Sequence, residues 1–480
     1  MMFGALLAAL AVATGPAHIE RVDCARFAKV AEGVAVECGY LRAPEDRDVP
    51  GSRTIGVPFA IVRNARRTAE DPVIFMTGGP GGQVIPSTIR AVDPAFGGRD
   101  LVFFEQRGTA LADPRLDCPG YAEEKQRAQR GEIDGKTLAS RLIQKARRCV
   151  AAARNAGAAL SGYTTRSIVD DLEEFRAAIG FDRINLIGLS YSGKVVAEYA
   201  RDHPRRTRAV IANTPLTVEA NYDEYGESAM RRSLDLVFAA CQRDRECNRA
   251  YPALRVKFNA IVARAVRRPW TIAVPDPAAP GHQRSVRLTP WVAANALLNQ
   301  LYLGATIEGL PRLIDAIAAG DRKSMISILD IGRSDYPWLM RMALWCNEEV
   351  PFESHARIEE DLRAYPEFGG VDQSTLPLGL CRQAGLKARP PARENSPVRS
   401  NVPFLIFSGL FDPATPPAIQ QRMARTLPKS TIALFPAAGH GAGFSACGAS
   451  LMGAFLTNPE GKLDISCTRE KLVPAFARGN

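Results

Sequence analysis

Histidine is scarce in this chain, with five among 480 residues, and the ten cysteines never form a Cys-x-x-Cys pair. Structural zinc sites are built from closely spaced cysteine and histidine ligands. We therefore expect no metal site, and the sequence predicts no cofactor.

Long blocks of one charge are also absent, although Lys and Arg exceed Asp and Glu and give a formal net charge of +10. The basic residues are interleaved with acidic ones, and no aromatic-basic motif of nucleic-acid-binding proteins is present. We interpret the excess as a solvated surface and expect no nucleic acid partner. The sequence also lacks internal repeats and low-complexity tracts. Its N-terminal apolar run is too short to span a bilayer, and no other stretch resembles a transmembrane helix.

The N-terminal residues and the cysteines together suggest export. Residues 1–17 form a short apolar run that ends in small residues, as in a signal peptide, although a basic n-region is missing. A buried N-terminal helix is the alternative.

The cysteines are even in number and lie in local couples, which favours disulfides over ten reduced thiols in a cytoplasmic protein. Nearest-neighbour pairing joins Cys24 to Cys38, Cys118 to Cys149, Cys241 to Cys247, Cys346 to Cys381 and Cys447 to Cys467. We expect a secreted or periplasmic protein without stable membrane insertion once the signal segment is removed.

Short apolar runs bounded by turn residues predict buried strands, and helical patterns such as 167–179 separate several of them. Alternating strands and helices indicate an α/β fold with a mostly parallel sheet covered on both faces. The predicted strands are Thr54–Val62, Val73–Met76, Leu101–Phe104, Ile184–Leu189, Arg208–Ala212, Pro403–Phe407 and Thr431–Phe435.

This alternation stops near residue 215 and resumes near residue 403. Between them the patterns are mainly helical, with a loop predicted at Pro269–Arg287, where proline and polar residues are frequent. We expect a signal peptide at 1–17, a first core part at 18–215, a helical lid at 216–395 and a second core part at 396–480.

The strongest chemical motif follows the predicted strand at Ile184–Leu189. Gly188-Leu189-Ser190-Tyr191-Ser192 lies between that strand and a predicted helix, which is the context of a nucleophile elbow. A sharp turn of this kind presents a serine hydroxyl above the sheet, so Ser190 is predicted to be the nucleophile.

A nucleophilic serine needs a histidine base and an orienting carboxylate, which in this kind of fold follow it in the order acid, then histidine. Asp412 comes after the strand at 403–407, and His440 is the one histidine after the predicted lid. The alternatives are a turn-forming aspartate before proline and a lone loop histidine.

A glycine-rich loop, Gly78-Gly79-Pro80-Gly81-Gly82, follows the strand at Val73–Met76. It lacks the Lys-Ser/Thr ending of a phosphate-binding loop. In a serine hydrolase such a loop supplies one N–H group to the developing oxyanion, and the residue after the nucleophile supplies another. Gly79 and Tyr191 are the predicted donors.

These segments together resemble the proline iminopeptidase and tripeptidyl aminopeptidase family of serine exopeptidases. The resemblance implies an α/β-hydrolase fold with an eight-stranded sheet and an inserted lid, and the release of residues from the free N-terminus of a peptide. Glu105, Ala110 and Ala112 depart from the family's usual aspartate, glycine and serine. The matching segments are Gly78–Gly81, Glu105–Ala112, Gly188–Ser192, Asp412–Pro416 and the cysteine couples 241/247 and 447/467.

The resemblance also directs attention to Glu348 and Glu349, because the family's lids contain similar acidic segments. A carboxylate in a partly closed site would attract the substrate's ammonium group, so these two residues are predicted to bind substrate. A solvated acidic turn is the alternative.

The sequence thus predicts an exported serine aminopeptidase that acts on a peptide or a small acyl substrate. An esterase or small-amide hydrolase with the same triad remains open, because a fold does not determine a substrate. A non-catalytic exported binding protein is the third possibility.

Overall fold

A computed structural model describes residues 17–69, 71–276, 279–302, 304–329, 336–365, 376–388 and 390–477. Residues 1–16 of the predicted signal segment lie outside the described residues.

A sheet of nine strands forms the centre of the described chain. Its strands are β1 His18–Val22, β3 Val36–Pro44, β4 Thr54–Val62, β5 Val73–Met76, β7 Leu101–Phe104, β8 Ile184–Leu189, β9 Thr207–Asn213, β12 Phe404–Gly409 and β13 Ser430–Phe435. They lie in the order β1-β3-β4-β7-β5-β8-β9-β12-β13. The six strands from β7 to β13 in this order pair in parallel, whereas β1, β3 and β4 form an antiparallel edge. Short strands β2 Lys29–Val30 and β6 Thr88–Ile89 pair with each other beside it.

Both faces of the parallel strands are buried, as their continuous apolar sequence predicts. Along β12, Phe404 and Ile406 pack into one hydrophobic cluster, and Leu405 and Phe407 pack into another on the opposite face. Helices cover the two faces: α1 Tyr121–Gln129, α2 Gly135–Asn155, α3 Thr165–Ile179, α4 Ser192–Asp202, α14 Pro417–Ala424 and α15 Ala446–Thr457.

The segment between β9 and β12, residues 214–403, is here named the insertion. Residues between 230 and 328 form most of a second hydrophobic cluster, to which Leu234, Phe258 and Leu310 contribute fully buried side chains. Later residues of the insertion, such as Met340 and Cys381, pack into the main cluster of the core. Its helices are α5 Gly226–Arg243, α6 Arg245–Ala250, α7 Leu254–Arg267, α8 Pro290–Leu298, α9 Gly304–Ala318, α10 Arg322–Leu329, α11 Trp338–Glu348, α12 His355–Ala364 and α13 Leu380–Gln383.

Two expectations about strands were wrong. The segment 269–287 is a hairpin of β10 Trp270–Pro275 and β11 Gln283–Leu288 rather than a loop. Its inward side chains, Ile272, Val274, Val286 and Leu288, are buried and alternate with more exposed ones, which is the period of a half-buried strand. The sheet also has nine strands rather than eight, and two strands of its antiparallel edge, β1 and β3, are absent from the seven segments predicted as strands.

The predicted cysteine pairing is confirmed at every bridge. The disulfides are Cys24–Cys38, Cys118–Cys149, Cys241–Cys247, Cys346–Cys381 and Cys447–Cys467. Among the described helices, none has the length and apolar character needed to cross a bilayer.

Candidate active site

Ser190 occupies the turn between the buried strand β8 and helix α4. Its φ of 56° is in the left-handed region, which a residue with a side chain rarely adopts. The turn is fixed on both sides, because the Ser190 N–H donates to the carbonyl of Asn213 (3.0 Å) and its carbonyl accepts from Leu216 N–H (2.9 Å). This is the strand–elbow–helix geometry that the sequence predicts.

Small residues around the elbow are required by the close approach of neighbouring chains. A Cβ atom on Gly78 would lie 2.5 Å from Ser190 Cβ, and one on Gly193 would lie 2.2 Å from Pro215 Cβ. Ser192 stands where the elbow usually has a second glycine. It is fully buried, and its hydroxyl donates to the carbonyl of Thr77, so the departure from the usual motif is accommodated.

Asp412 and His440 meet at the carboxyl end of the parallel strands. Asp412 follows β12, is fully buried, and accepts from the N–H groups of Ala414 (2.8 Å) and Thr415 (2.9 Å) through Oδ1. Its Oδ2 lies 2.8 Å from Nδ1 of His440 and 2.8 Å from Oγ1 of Thr415. The carboxylate therefore orients the imidazole, as the third group of a catalytic triad does.

A cavity of about 350 Å³ brings Ser190 and His440 together. Core residues form one side of it, and the insertion contributes aromatic and cationic residues to the other side. A serine, an imidazole and a buried carboxylate at one cavity are the groups that acyl transfer requires. The lining residues are Thr77, Gly78, Gly79, Gly82, Leu189, Ser190, Tyr191, Leu216, Tyr222, Tyr302, Arg341, Trp345, Ala414, Thr415 and His440.

Both predicted oxyanion donors line this cavity. Gly79 has a φ of 120°, a conformation that residues with a side chain avoid. Tyr191 immediately precedes helix α4, where the first N–H groups of a helix lack partners within the helix. The backbone thus brings two candidate donors to the same space as Ser190.

Glu348 and Glu349 do not line the cavity. Glu348 is 8% exposed and accepts from the N–H (2.5 Å) and hydroxyl (2.6 Å) of Thr165. Glu349 is 1% exposed and forms an ion pair with Lys194. Both carboxylates therefore have buried protein partners, and their contact with a substrate ammonium group stays a prediction.

Glu105 and Gln106 support the glycine-rich loop from the core side. Glu105 Oε1 accepts from the N–H groups of Val84 (2.8 Å) and Ile85 (2.9 Å), and Gln106 Oε1 accepts from Gly81 N–H (2.9 Å). Complete burial of the Glu105 side chain raises its pKa to about 7. The segment that departs from the family's usual aspartate therefore still holds the loop.

Sequence reasoning missed several residues of the site. Thr415 was quoted only as part of a motif, yet it contacts the Asp412 carboxylate. The Tyr302 ring lies edge-on to His440, with 5.6 Å between ring centroids. Trp345 and Arg341 line the cavity from α11. The last three belong to the insertion, where no strand or chemical motif indicates which side chains face the core.

Comparisons with known proteins agree with this geometry. Residues 71–251 match the family described as alpha/beta hydrolase fold, and residues 366–467 match the family described as TAP-like protein. The first match contains Ser190, and the second contains Asp412 and His440.

Curated relatives match at low identity. Serine protease Hip1 of Mycobacterium tuberculosis is 25% identical over 419 residues, which cover 79% of this chain and 76% of that protein. Tripeptidyl aminopeptidase of Streptomyces coelicolor is 26% identical over 221 residues, or 44% of this chain and 40% of that protein. The putative hydrolase YuaR of Escherichia coli is 24% identical over 236 residues, or 46% and 45%.

Proposed function

We propose that this chain, which belongs to the α/β-hydrolase serine peptidases, is an exported aminopeptidase that releases one or a few residues from the free N-terminus of peptides. The observation that carries the proposal is the 2.8 Å contact between His440 Nδ1 and Asp412 Oδ2 at a cavity that also contains Ser190.

The reaction proceeds through an acyl-enzyme. Ser190 Oγ attacks the scissile carbonyl while His440 accepts the hydroxyl proton and then delivers it to the leaving amine. The buried Asp412 carboxylate keeps the imidazole oriented and stabilises its charged form. The N–H groups of Gly79 and Tyr191 stabilise the oxyanion. Water then hydrolyses the ester by the same proton transfers in reverse.

Aromatic side chains that the insertion places around the cavity support action on a chain end. The cavity volume of about 350 Å³ is near the lower limit for small-ligand sites, and the aromatic side chains of Tyr222, Tyr302 and Trp345 line it from the insertion. We assign residues 216–395 the role of a lid, which leaves space for a peptide's end rather than for a continuous chain.

Recognition of the substrate's ammonium group requires a carboxylate near the cavity. Asp223 is 6% exposed, follows the lining residue Tyr222 and accepts a hydrogen bond from Trp345 Nε1 (3.0 Å). We assign the amino-group contact to Asp223 because it adjoins two lining residues, Tyr222 in the sequence and Trp345 through its hydrogen bond. The five disulfides support export, since such bonds persist in oxidising compartments.

Product analysis on matched peptides tests the proposal. Peptides with a free N-terminus should lose one to three residues, and the same peptides with an acetylated N-terminus should remain intact. Cleavage of both series at internal bonds would contradict an exopeptidase. A neutral ester cleaved far faster than any aminoacyl anilide would instead favour the esterase alternative.

Replacement of the nucleophile tests the chemistry itself. Ser190→Ala should fold and lose activity to within about 10³–10⁴-fold of the uncatalysed rate, because only binding and the oxyanion donors remain. A fluorophosphonate should label the native protein and leave the variant unlabelled. Equal labelling of the two proteins, or normal turnover by the variant, would exclude Ser190 as the nucleophile. An unlabelled native protein would favour the binding-protein alternative.

A further inference from the structure

Helix α11 of the insertion contacts the glycine-rich loop near its first residues. Arg341 Nη1 donates to the carbonyl of Gly79, and the hydroxyl of Tyr336, just before the helix, donates to the carbonyl of Pro80. Arg341 Nη1 also lies 2.9 Å from the Tyr336 hydroxyl, and its guanidinium stacks over Trp345 at 5.0 Å from the ring centroid. The two side chains therefore fix the peptide units around Gly79, one of the two candidate oxyanion donors.

The other end of α11 contacts the second candidate donor both directly, since the Tyr191 hydroxyl donates to Glu348 Oε1 (3.4 Å), and through Thr165. Glu348, the last residue of the helix, binds the N–H and hydroxyl of Thr165, and Thr165 Oγ1 lies 2.6 Å from the Tyr191 hydroxyl. Tyr191 is 1% exposed, so its side chain has little freedom once this contact is made. Its backbone N–H is then fixed relative to Ser190.

The next residue adds a contact to the same elbow. Glu349 forms a buried ion pair with Lys194, which is 4% exposed and lies in the first turn of α4. Four side chains of residues 336–349, those of Tyr336, Arg341, Glu348 and Glu349, thus contact the chain segments that carry the candidate donors or lie beside them. None of these contacts uses a reacting atom.

We propose that helix α11 positions both halves of the oxyanion hole, with Arg341 acting on Gly79 and Glu348 acting, through Thr165, on Tyr191. The inference rests on the proposed function, because it assumes that these two N–H groups stabilise an oxyanion. Preorganised donors contribute most of their effect only when they are correctly placed, and loss of one costs about 10²–10³-fold in rate. The acidic pair at 348 and 349 therefore serves the elbow rather than the substrate.

A purely structural role is the competing explanation, since Glu348 also binds the first N–H of α3, where a carboxylate stabilises a helix. The two explanations differ in what they predict for the transition state. Loss of stability alone lowers the amount of folded enzyme, whereas misplaced donors weaken binding of tetrahedral species and leave substrate binding unchanged.

The experiment compares Glu348→Gln, Thr165→Val and Arg341→Lys with a matched control, Glu173→Gln. Glu173 also accepts from a tyrosine hydroxyl of α4, that of Tyr199 (2.6 Å), and pairs with Arg176, but it does not line the cavity. For each variant, kcat, KM and the inhibition constant of a peptide boronic acid, which forms a tetrahedral adduct with the serine, are measured. Titration of active sites corrects for folded fraction, and thermal unfolding is recorded in parallel.

In the three test variants we expect kcat to fall 10- to 100-fold with KM within about twofold, and the boronic acid to bind more weakly by the same factor. Glu173→Gln should lose stability and keep kcat. Thr165→Val and Arg341→Lys retain shape or charge, so they keep the test valid should Glu348→Gln fail to fold. Unchanged kcat and boronic acid affinity, or equal losses in the control, would overturn the inference. The two failures are distinguishable, because an active Ser190→Ala variant would refute the proposed function, whereas these results concern only the role of α11.

Discussion

At the residue scale, the backbone of Ser190 carries a conformational cost. Its φ of 56° is unfavourable for any residue with a Cβ by about 1–2 kcal/mol, and the surrounding hydrogen bonds to Asn213 and Leu216 maintain it. Strain at a nucleophile that must project from a sharp turn is part of the function of the site.

This strain predicts different stabilities for two variants that both lack the nucleophile. Ser190→Gly should be more stable than Ser190→Ala by about 1 kcal/mol, because glycine adopts a positive φ without a steric penalty. Denaturant unfolding of the two proteins measures the difference directly. If alanine were as stable as glycine here, the elbow would not be strained.

Glu105 predicts a dependence of stability on pH. Burial raises its pKa to about 7 from an ordinary value of 4.5, so the folded state holds this proton more tightly than the unfolded chain does. The stabilisation from Glu105 is complete below pH 4.5 and is lost as the pH rises through 7. Its size is about 3 kcal/mol at most.

Glu105→Gln is the matched comparison, because an amide oxygen can still accept from Val84 and Ile85 without titrating. The free energy of unfolding of the native protein, measured relative to this variant, should decrease between pH 4.5 and 7 and then level off. A constant difference over that range would show that Glu105 titrates normally.

At the element scale, glycines in two helices provide a contrast. Gly193, in the first turn of α4, has no room for a methyl group beside Pro215, whereas a Cβ on Gly309 in α9 would meet no atom within 4 Å. Gly309→Ala should raise the free energy of unfolding by about 0.5–1 kcal/mol through lower backbone entropy in the unfolded chain.

Gly193→Ala should do the opposite. The methyl group would force the elbow away from Pro215, so both stability and kcat should decrease. Thermal unfolding and steady-state kinetics of the two variants check the pair of expectations. A stable and fully active Gly193→Ala variant would mean that the elbow can relax without moving Ser190.

The same elements show how far the sequence could predict the structure. Buried parallel strands such as β5 and β8 were predicted to the residue, because each is a short apolar run between turn residues. The hairpin β10–β11 was missed because Pro275 and its neighbouring polar residues resemble a loop more than they resemble alternating strands. Strand β1 was missed because a partly exposed edge strand has no continuous apolar pattern.

The candidate site also has one part that the sequence predicts and another part that it does not predict. The positions of Ser190, Asp412 and His440 follow from strand ends and chain order, which the sequence displays. The surroundings contributed by the insertion, such as Tyr302 and Arg341, depend on how helices pack across the cavity, and periodicity does not indicate that arrangement. The sequence likewise does not indicate that Glu348 and Glu349 are buried against Thr165 and Lys194.

At the scale of the whole molecule, the disulfides do not cross between the insertion and the rest of the chain, which is the core. Two disulfides lie within the insertion and three lie within the remaining chain, so none of the five joins the insertion to the core. Contact between the two parts depends on non-covalent interactions, which include backbone hydrogen bonds such as Arg287 N–H to the carbonyl of Arg130 (2.8 Å) and the Lys194–Glu349 ion pair. The disulfides therefore stabilise each part without fixing one against the other.

The lengths of the closed loops predict how much each bridge contributes. Cys346–Cys381 spans 35 residues and Cys241–Cys247 spans 6. The chain-entropy relation gives about 4 kcal/mol for the longer loop and about 2 kcal/mol for the shorter one, because closing a longer loop removes more freedom from the unfolded chain. Paired Cys→Ser variants, compared with the native protein by denaturant unfolding, should reproduce this order.

Because Cys346 lies in α11 next to the contacts with Gly79 and Thr165, removal of its bridge should also lower kcat, whereas loss of Cys241–Cys247 should lower stability alone. If removal of either bridge changed kcat equally, the Cys346–Cys381 disulfide would have no specific effect on the oxyanion hole.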